Sequence, residues 1–198
     1  MLEMLQTGTT TFNDMYAPEA PVANAVEDAG MRAVLGRGVM DISGDAADKL
    51  AATTELLETY RDHDRITVSV APHAIYTCST SFLEQCRDLA AQYDAPLHIH
   101  VAETMTEHED CQAAHGTSPT QYLHDLGLLT ERTIAAHGVH LSDADIAVFT
   151  ETGAAIAHNP ASNLKLGSGT ARLAALKDVT VGIGTDSVAS NNNLNMFE

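Results

Sequence analysis

A regular alternation of strand-like and helix-like segments constrains the fold of this chain more than any other feature. Seven apolar segments rich in β-branched residues predict strands, at 9–14, 32–39, 67–71, 96–101, 133–139, 154–158 and 180–184. Segments with helical periodicity lie between them, at 20–29, 45–62, 79–93, 117–126, 142–152 and 170–176. Because strands separated by helices pair in parallel through right-handed crossovers, the alternation predicts an α/β fold built on one parallel sheet.

Side chains that can bind metals or transfer protons stand at the carboxyl ends of the later strands. Five consecutive strands end in such residues, which are His73, His100 with Glu103, His137, His158 and Asp186. In an α/β barrel this end is the face where the active site is assembled, whereas a doubly wound sheet gathers its chemistry at one switch point. The distribution favours an incomplete TIM-type (β/α)8 barrel with about seven of its eight strands in this chain.

The segment PLHIHVAE, residues 96–103, has the spacing of a metal site with a proton acceptor. His98 and His100 are two apart on a strand and point to the same side, while Glu103 follows where the strand ends. An imidazole there can ligate a metal, and the carboxylate can take a proton from a water on that metal. A buried strand histidine and a surface glutamate explain this segment alone equally well. We interpret His98 as a core histidine rather than a second ligand.

Composition limits the partners of the protein. The 198 residues, 44% of them hydrophobic, suit one globular domain spanning 1–198, and no apolar run approaches the roughly 20 residues of a membrane helix. A net charge of -17 opposes binding to nucleic acid or to an anionic membrane surface, and it suggests a halophilic source. The three cysteines show no paired motif, so we predict reduced thiols and a cytoplasmic protein.

Four motifs carry a resemblance to a known family, and they are HIHVAET, AAHGVHL, HNPASNLKLGSG and GTDSVASNN. In this order they resemble the metal-dependent amidohydrolase superfamily, within it the branch of 5-methylthioadenosine/S-adenosylhomocysteine deaminases. The chlorohydrolase and guanine deaminase branches are less similar. The resemblance implies hydrolytic deamination at carbon 6 of adenine nucleosides, such as S-adenosylhomocysteine, 5-methylthioadenosine or adenosine, with release of ammonia.

The resemblance also implies the catalytic roles at one divalent metal, zinc in the first place and iron as the alternative. His100 and Asp186 are similar to metal ligands of the family, and Asp186 also orients the attacking water. Glu103 resembles the general acid/base that contacts the substrate. His137 matches the histidine that hydrogen-bonds the water or the tetrahedral centre.

Three further residues resemble substrate-binding positions of the family. His73 is similar to the histidine that contacts the purine, and Arg37 to an arginine that grips the amino-acid carboxylate of S-adenosylhomocysteine. Lys49 stands where the family can have a second arginine. An ammonium lacks the bidentate fork of a guanidinium, so the resemblance implies looser recognition of the carboxylate here.

One departure from the family leaves alternatives open. The family builds its metal site on a first-strand HxH pair, yet this sequence has no histidine before His63. We therefore expect a partial barrel, strands 2 to 8 of the family, without the first strand and the flanking β-sandwich. A non-catalytic module that binds nucleosides, or another subunit through its open barrel edge, is the alternative, and a homo-oligomer is among the partners considered. Hydrolysis of a halogenated or aminated triazine on the same scaffold is a third reading.

Overall fold

A single parallel sheet forms the centre of the molecule. The computed structural model describes residues 1–42 and 44–197, in which the strands are β1 Thr11–Tyr16, β2 Arg32–Val39, β3 Ile66–Pro72, β4 Leu97–Val101, β5 Thr133–His137, β6 Ala155–His158 and β7 Val181–Ile183. The strands follow one another across the sheet in chain order, and every neighbouring pair is parallel. The sheet curls into a half-barrel with β1 and β7 at its edges, which confirms the predicted α/β, TIM-type architecture.

Helices connect the strands. They are α1 Leu2–Gln6, α2 Glu19–Ala29, α3 Ala46–Thr59, α4 Thr80–Tyr93, α5 Met105–His115, α6 Pro119–Asp125, α7 Asp143–Thr152 and α8 Pro160–Lys165. The hydroxyl of Ser79 accepts a hydrogen bond from the Phe82 amide at the start of α4. Ser142 and Asp145 form a reciprocal capping box at the start of α7. These caps fix where the chain turns from the carboxyl end of a strand into the next helix.

The sequence prediction of a helix at 170–176 is wrong. Only a short 3-10 turn, Leu173–Ala175, forms there. The segment follows Gly169, whose φ of +117° is outside the helical region, and a pattern of seven residues is too short to offset the cost of helix nucleation. Three other helices, α1, α5 and α8, were not predicted from the sequence. α1 has only 5 residues and α8 only 6, which is too short for a clear helical period, and α5 buries only Glu107 and Cys111, so it lacks an apolar stripe.

The main core lies between the helices and the outer face of the sheet. Its largest fully buried side chains include Phe82, Leu83, Ile99, Leu123 and Phe149. Cys78, Cys86 and Cys111 are buried and unpaired, as predicted. Within the described residues, no helix is long and apolar enough to cross a membrane. This core fixes the strands against their helices, so the loops after the strands meet at one face.

Candidate active site

The carboxyl ends of β3, β4, β5 and β7 bring together five of the residues that the sequence singled out. The ring centroids of His73 and His100 are 4.8 Å apart, and the rings of His100 and His137 stack at 5.3 Å. Nε2 of His137 lies 3.7 Å from Oε2 of Glu103. Asp186 is close enough to His100 and His137 for electrostatic interaction with both side chains. Histidines and carboxylates from distant parts of the chain thus form one cluster.

His100 presents one ring nitrogen as a ligand. Its Nδ1 lies 2.7 Å from the carbonyl oxygen of His73, and its backbone amide donates to the same oxygen at 3.0 Å. Because a carbonyl can only accept, Nδ1 carries the proton and Nε2 keeps its lone pair. Burial lowers the pKa of the His100 imidazole, although its bond to the carbonyl acts in the opposite direction. The ring is therefore held in the neutral form that metals bind.

Asp186 is held as an ionised carboxylate. Burial alone would raise its pKa, but hydrogen bonds from Ser162, Ser190 and the Ser187 amide prevail, and the pKa is lowered. The hydroxyl of Ser162 donates to Oδ2 at 2.6 Å, and the amide of Ser187 donates to Oδ1 at 2.7 Å. Both carboxylate oxygens are thus oriented by neighbouring donors.

A divalent metal fits part of this cluster. Nε2 of His100 and the carboxylate of Asp186 are the nitrogen and oxygen donors that zinc takes in catalytic sites. Among the described residues, no group of three histidines, cysteines or acids is arranged to hold a metal ion. His100 and Asp186 could therefore supply part of a ligand set, and further ligands would have to complete it.

Glu103 is supported by a second, buried glutamate that the sequence analysis missed. The backbone amides of Ala102 and Glu103 donate to the carboxylate of Glu107, at 3.1 and 2.8 Å. Glu107 is only 3% exposed, and burial raises its pKa to about 7. The pattern Thr104-x-x-Glu107 could have revealed it, because this is a capping-box spacing and the Thr104 hydroxyl accepts from the Glu107 amide.

Replacing Glu107 with glutamine is expected to flatten the pH dependence of stability. The folded protein keeps the Glu107 proton up to about pH 7, whereas an ordinary glutamate releases it near 4.5. The folded state therefore binds more protons between these values, and this contribution to stability is lost as pH rises from 4.5 through 7. The full shift of the Glu107 pKa corresponds to a loss in the free energy of unfolding on the order of 3 kcal/mol. Glutamine does not titrate, so the variant lacks this loss.

Urea unfolding at about pH 5 and about pH 8 measures this effect. Glu109→Gln is the matched control, because Glu109 is an exposed acid on the same helix. The control should keep the wild-type change in the free energy of unfolding between the two pH values. If Glu107→Gln keeps that change as well, Glu107 does not carry the raised pKa.

Residues with unusual backbone geometry lie at or beside the cluster. Among the described residues four non-glycine residues have a left-handed φ, and three of them are Ala102, His137 and Asp186. Ala136 lines the inner cavity, so regular strand alternation would turn His137 to the other face. A φ of +79° at His137 takes this residue out of the alternation. Such strain is commonly kept at functional sites.

His98 lies deeper in the half-barrel. It is 6% exposed, and its Nδ1 lies 3.2 Å from the Nδ2 amide nitrogen of Asn13 on β1. Burial, with smaller effects of His100 and His137, lowers the pKa of His98 to about 3. A cavity of about 500 Å³ adjoins it, lined by both edge strands and by His98, His100 and Asp186. His98 is thus a neutral, buried histidine with a side-chain partner, and its place as a core residue rather than a second ligand stays a prediction.

Arg37 and Lys49 lie apart from this cavity and pair with acids of the chain. Arg37 Nη1 lies 3.2 Å from Oε2 of Glu19, which is 6% exposed. Lys49 Nζ contacts Asp45 Oδ1 at 2.7 Å and donates to the Met40 carbonyl oxygen at 2.9 Å. Neither residue lines the cavity that reaches His100 and Asp186. Any substrate carboxylate bound by these cations would compete with Glu19 and Asp45.

Comparison with known proteins identifies the family. The model of the amidohydrolase family matches residues 1–198, and this chain belongs to that family. The chain is 48% identical over 201 residues to a 5-methylthioadenosine/S-adenosylhomocysteine deaminase of Nitratidesulfovibrio vulgaris, covering 98% of this chain and 46% of the relative. It is 45% identical over 203 residues to a 5'-deoxyadenosine deaminase of Methanosphaera stadtmanae, covering 100% of this chain and 48% of the relative.

A solved structure has a very similar fold. An adenosine deaminase from Xanthomonas campestris with bound zinc superposes with a TM-score of 0.94 at 40% identity, over 98% of this chain and 46% of that one. This chain therefore spans about half the length of the relatives that it matches. The family and the TIM-type barrel predicted from the sequence are both confirmed.

Proposed function

We propose that the protein containing these residues is a metal-dependent deaminase that hydrolyses adenine nucleosides to inosine derivatives and ammonia. The observation that carries the proposal is the convergence of His100, Glu103, His137 and Asp186 at the carboxyl face of the half-barrel. The relatives at 45–48% identity, which are named as deaminases of such nucleosides, support the same chemistry.

His100 and Asp186 would hold one divalent metal, with zinc as the first choice because the related adenosine deaminase binds it, and iron as the second. A bound zinc supplies a water with its pKa lowered to about 7. Glu103 accepts a proton from the attacking water and delivers it to ring nitrogen 1 of the adenine. His137 accepts a hydrogen bond from the water as its oxygen attacks carbon 6. Ammonia leaves after a proton reaches the exocyclic nitrogen.

His73 would contact the purine as a neutral imidazole. Its pKa is lowered to about 4, mainly by burial and next by the neighbouring His100. Nδ1 of His73 lies 2.9 Å from the Thr77 hydroxyl, which orients the ring. A neutral ring can hydrogen-bond a base without placing a second positive charge beside the metal.

The substrate is proposed to be an adenine nucleoside with a small or uncharged 5' group. Arg37 and Lys49 are the proposed contacts to a carboxylate, but Glu19 and Asp45 already pair with them. We therefore expect 5-methylthioadenosine to have a higher kcat/KM than S-adenosylhomocysteine, whose carboxylate has to displace these acids.

Product release from a substrate panel tests the proposal, with ammonia measured for every compound and halide as well for the halogenated triazine. The panel holds 5-methylthioadenosine, 5'-deoxyadenosine, adenosine, S-adenosylhomocysteine and an aminated and a halogenated triazine, each with the zinc-loaded protein. Release from the nucleosides supports the proposal, whereas turnover of the triazines alone favours the chlorohydrolase reading. A version of the chain extended at its N-terminus by a first strand with HxH is assayed as well. If both proteins bind nucleosides but release no ammonia, the result favours a binding module.

We also propose a cytoplasmic protein adapted to high salt, on the basis of three unpaired thiols and a net charge of -17. Screening of the acidic surface should then raise the free energy of unfolding between about 0.1 M and about 1 M KCl, and further at higher salt. Urea unfolding at each salt concentration measures this. A protein no more stable at high salt than at low would contradict the halophilic origin.

A further inference from the structure

Buried side chains of the short helix α8 contact two of the candidate catalytic residues, Asp186 and His137. Ser162 and Asn163, two consecutive residues of this helix, are fully buried. Ser162 donates to Oδ2 of Asp186, and Oδ1 of Asn163 lies 2.8 Å from Nδ1 of His137. Adjacent residues of one helix thus hold two residues that come from different strands.

The last residue of α8 and the segment after the helix make further contacts around the site. The ammonium of Lys165 bonds the Asn191 carbonyl at 3.0 Å and Asn192 Oδ1 at 2.7 Å, in the loop that follows Asp186. The amide of Ser168 donates to the Asn163 carbonyl at 2.8 Å, and the Ser168 hydroxyl lies 3.4 Å from Glu103 Oε1. These contacts hold the end of α8 against the loop after Asp186 and hold the Asn163 backbone beside the Glu103 side of the site.

The contact between Asn163 and His137 determines which ring nitrogen carries the proton. The amide oxygen of Asn163 can only accept, so Nδ1 of His137 must donate to it. The neutral ring then keeps its lone pair on Nε2, the nitrogen that faces Glu103 at 3.7 Å. An Nε2 acceptor can receive a hydrogen bond from a water, whereas an Nε2–H would point its proton at the Glu103 carboxylate.

Asn163 is retained at a cost to stability. Its Nδ2 is buried and has no hydrogen-bond partner within the described part of the chain. A buried donor without a partner destabilises the folded state. An apolar residue would avoid this cost but would leave Nδ1 of His137, itself only 2% exposed, without its acceptor.

We propose that Asn163 is a positioning residue that fixes His137 in the Nδ1–H tautomer, so that Nε2 serves as the hydrogen-bond acceptor in the site. This inference rests on the proposed function only for the use of that acceptor. The tautomer itself is a property of the substrate-free protein.

Long-range ¹H–¹⁵N NMR spectra of protein with ¹⁵N-labelled histidine test the proposal, at a pH where the ring is neutral. The His137 signals are assigned by their loss in His137→Gln. The wild type should show the Nδ1–H tautomer as the major form. Asn163→Ala should lose it in favour of Nε2–H, whereas Asn163→Asp, which keeps an acceptor for Nδ1, should retain it.

Ser162→Ala is the matched control, because it removes a neighbouring polar group of the same helix that contacts Asp186 instead. This variant should keep the wild-type tautomer of His137. A wild-type protein with the proton on Nε2, or an unchanged tautomer in Asn163→Ala, would overturn the proposal. Neither result depends on turnover, so the experiment tests the tautomer of His137 independently of the proposed deaminase activity.

Discussion

Glu103→Gln is expected to lower the turnover number for adenine nucleosides by about 10²- to 10⁴-fold, the usual contribution of general acid-base catalysis. Glutamine has nearly the same shape but cannot take the proton of the attacking water or pass it to the ring. The supporting bond from the Glu103 backbone amide to Glu107 does not involve the Glu103 side chain, so the fold should persist. Steady-state ammonia release by the natural protein that contains these residues measures the effect.

Glu109→Gln serves as the control for this substitution, because it removes an exposed acid from the adjoining helix α5. It should leave turnover close to that of the wild type. Near wild-type ammonia release by Glu103→Gln would refute the role of Glu103 and, with it, the proposed path of the proton.

His100→Ala is expected to weaken zinc binding by more than about 100-fold, since even loss of a partner behind a ligand costs 10- to 100-fold. The Nδ1 bond to the His73 carbonyl leaves Nε2 of His100 as the nitrogen proposed to bind the metal. Competition with a chromogenic chelator measures the affinity without reference to activity. The loss should be specific to His100.

His98→Gln separates the two histidines of the HxH pair. The contact of His98 with Asn13 and its burial indicate a core role, so this variant should bind zinc within about 10-fold of the wild type, although its free energy of unfolding falls by about 1–3 kcal/mol. An equal loss of zinc affinity in the two variants would make His98 a second ligand and would contradict its interpretation as a core residue.

The sheet and the cluster could be predicted from the sequence because each depends on local pattern. Runs of β-branched residues defined the strands, and residue type together with a place at a strand end selected the set from which the family resemblance then singled out His100, Glu103, His137 and Asp186. The helix α5 could not be found in this way, since it buries a glutamate and a cysteine rather than an apolar stripe.

Residues whose roles depend on contacts between distant parts of the chain could not be predicted from local sequence patterns. Asn163 meets His137 across 26 residues, and Ser162 meets Asp186 across 24. Nothing in the local composition distinguishes these side chains from the turn and cap residues that Asn and Ser commonly provide. The ion pair between Arg37 and Glu19 was hidden for the same reason, because it joins β2 to the start of α2 through space.

The most direct test of the proposed deamination is ammonia release from 5-methylthioadenosine by the zinc-loaded natural protein, with the nucleoside product identified by mass spectrometry. We predict one ammonia for each molecule of the inosine derivative formed, loss of both on removal of the metal by a chelator, and loss of both in Glu103→Gln. Nucleoside that is bound but returned unchanged by the zinc-loaded protein would contradict the proposed reaction.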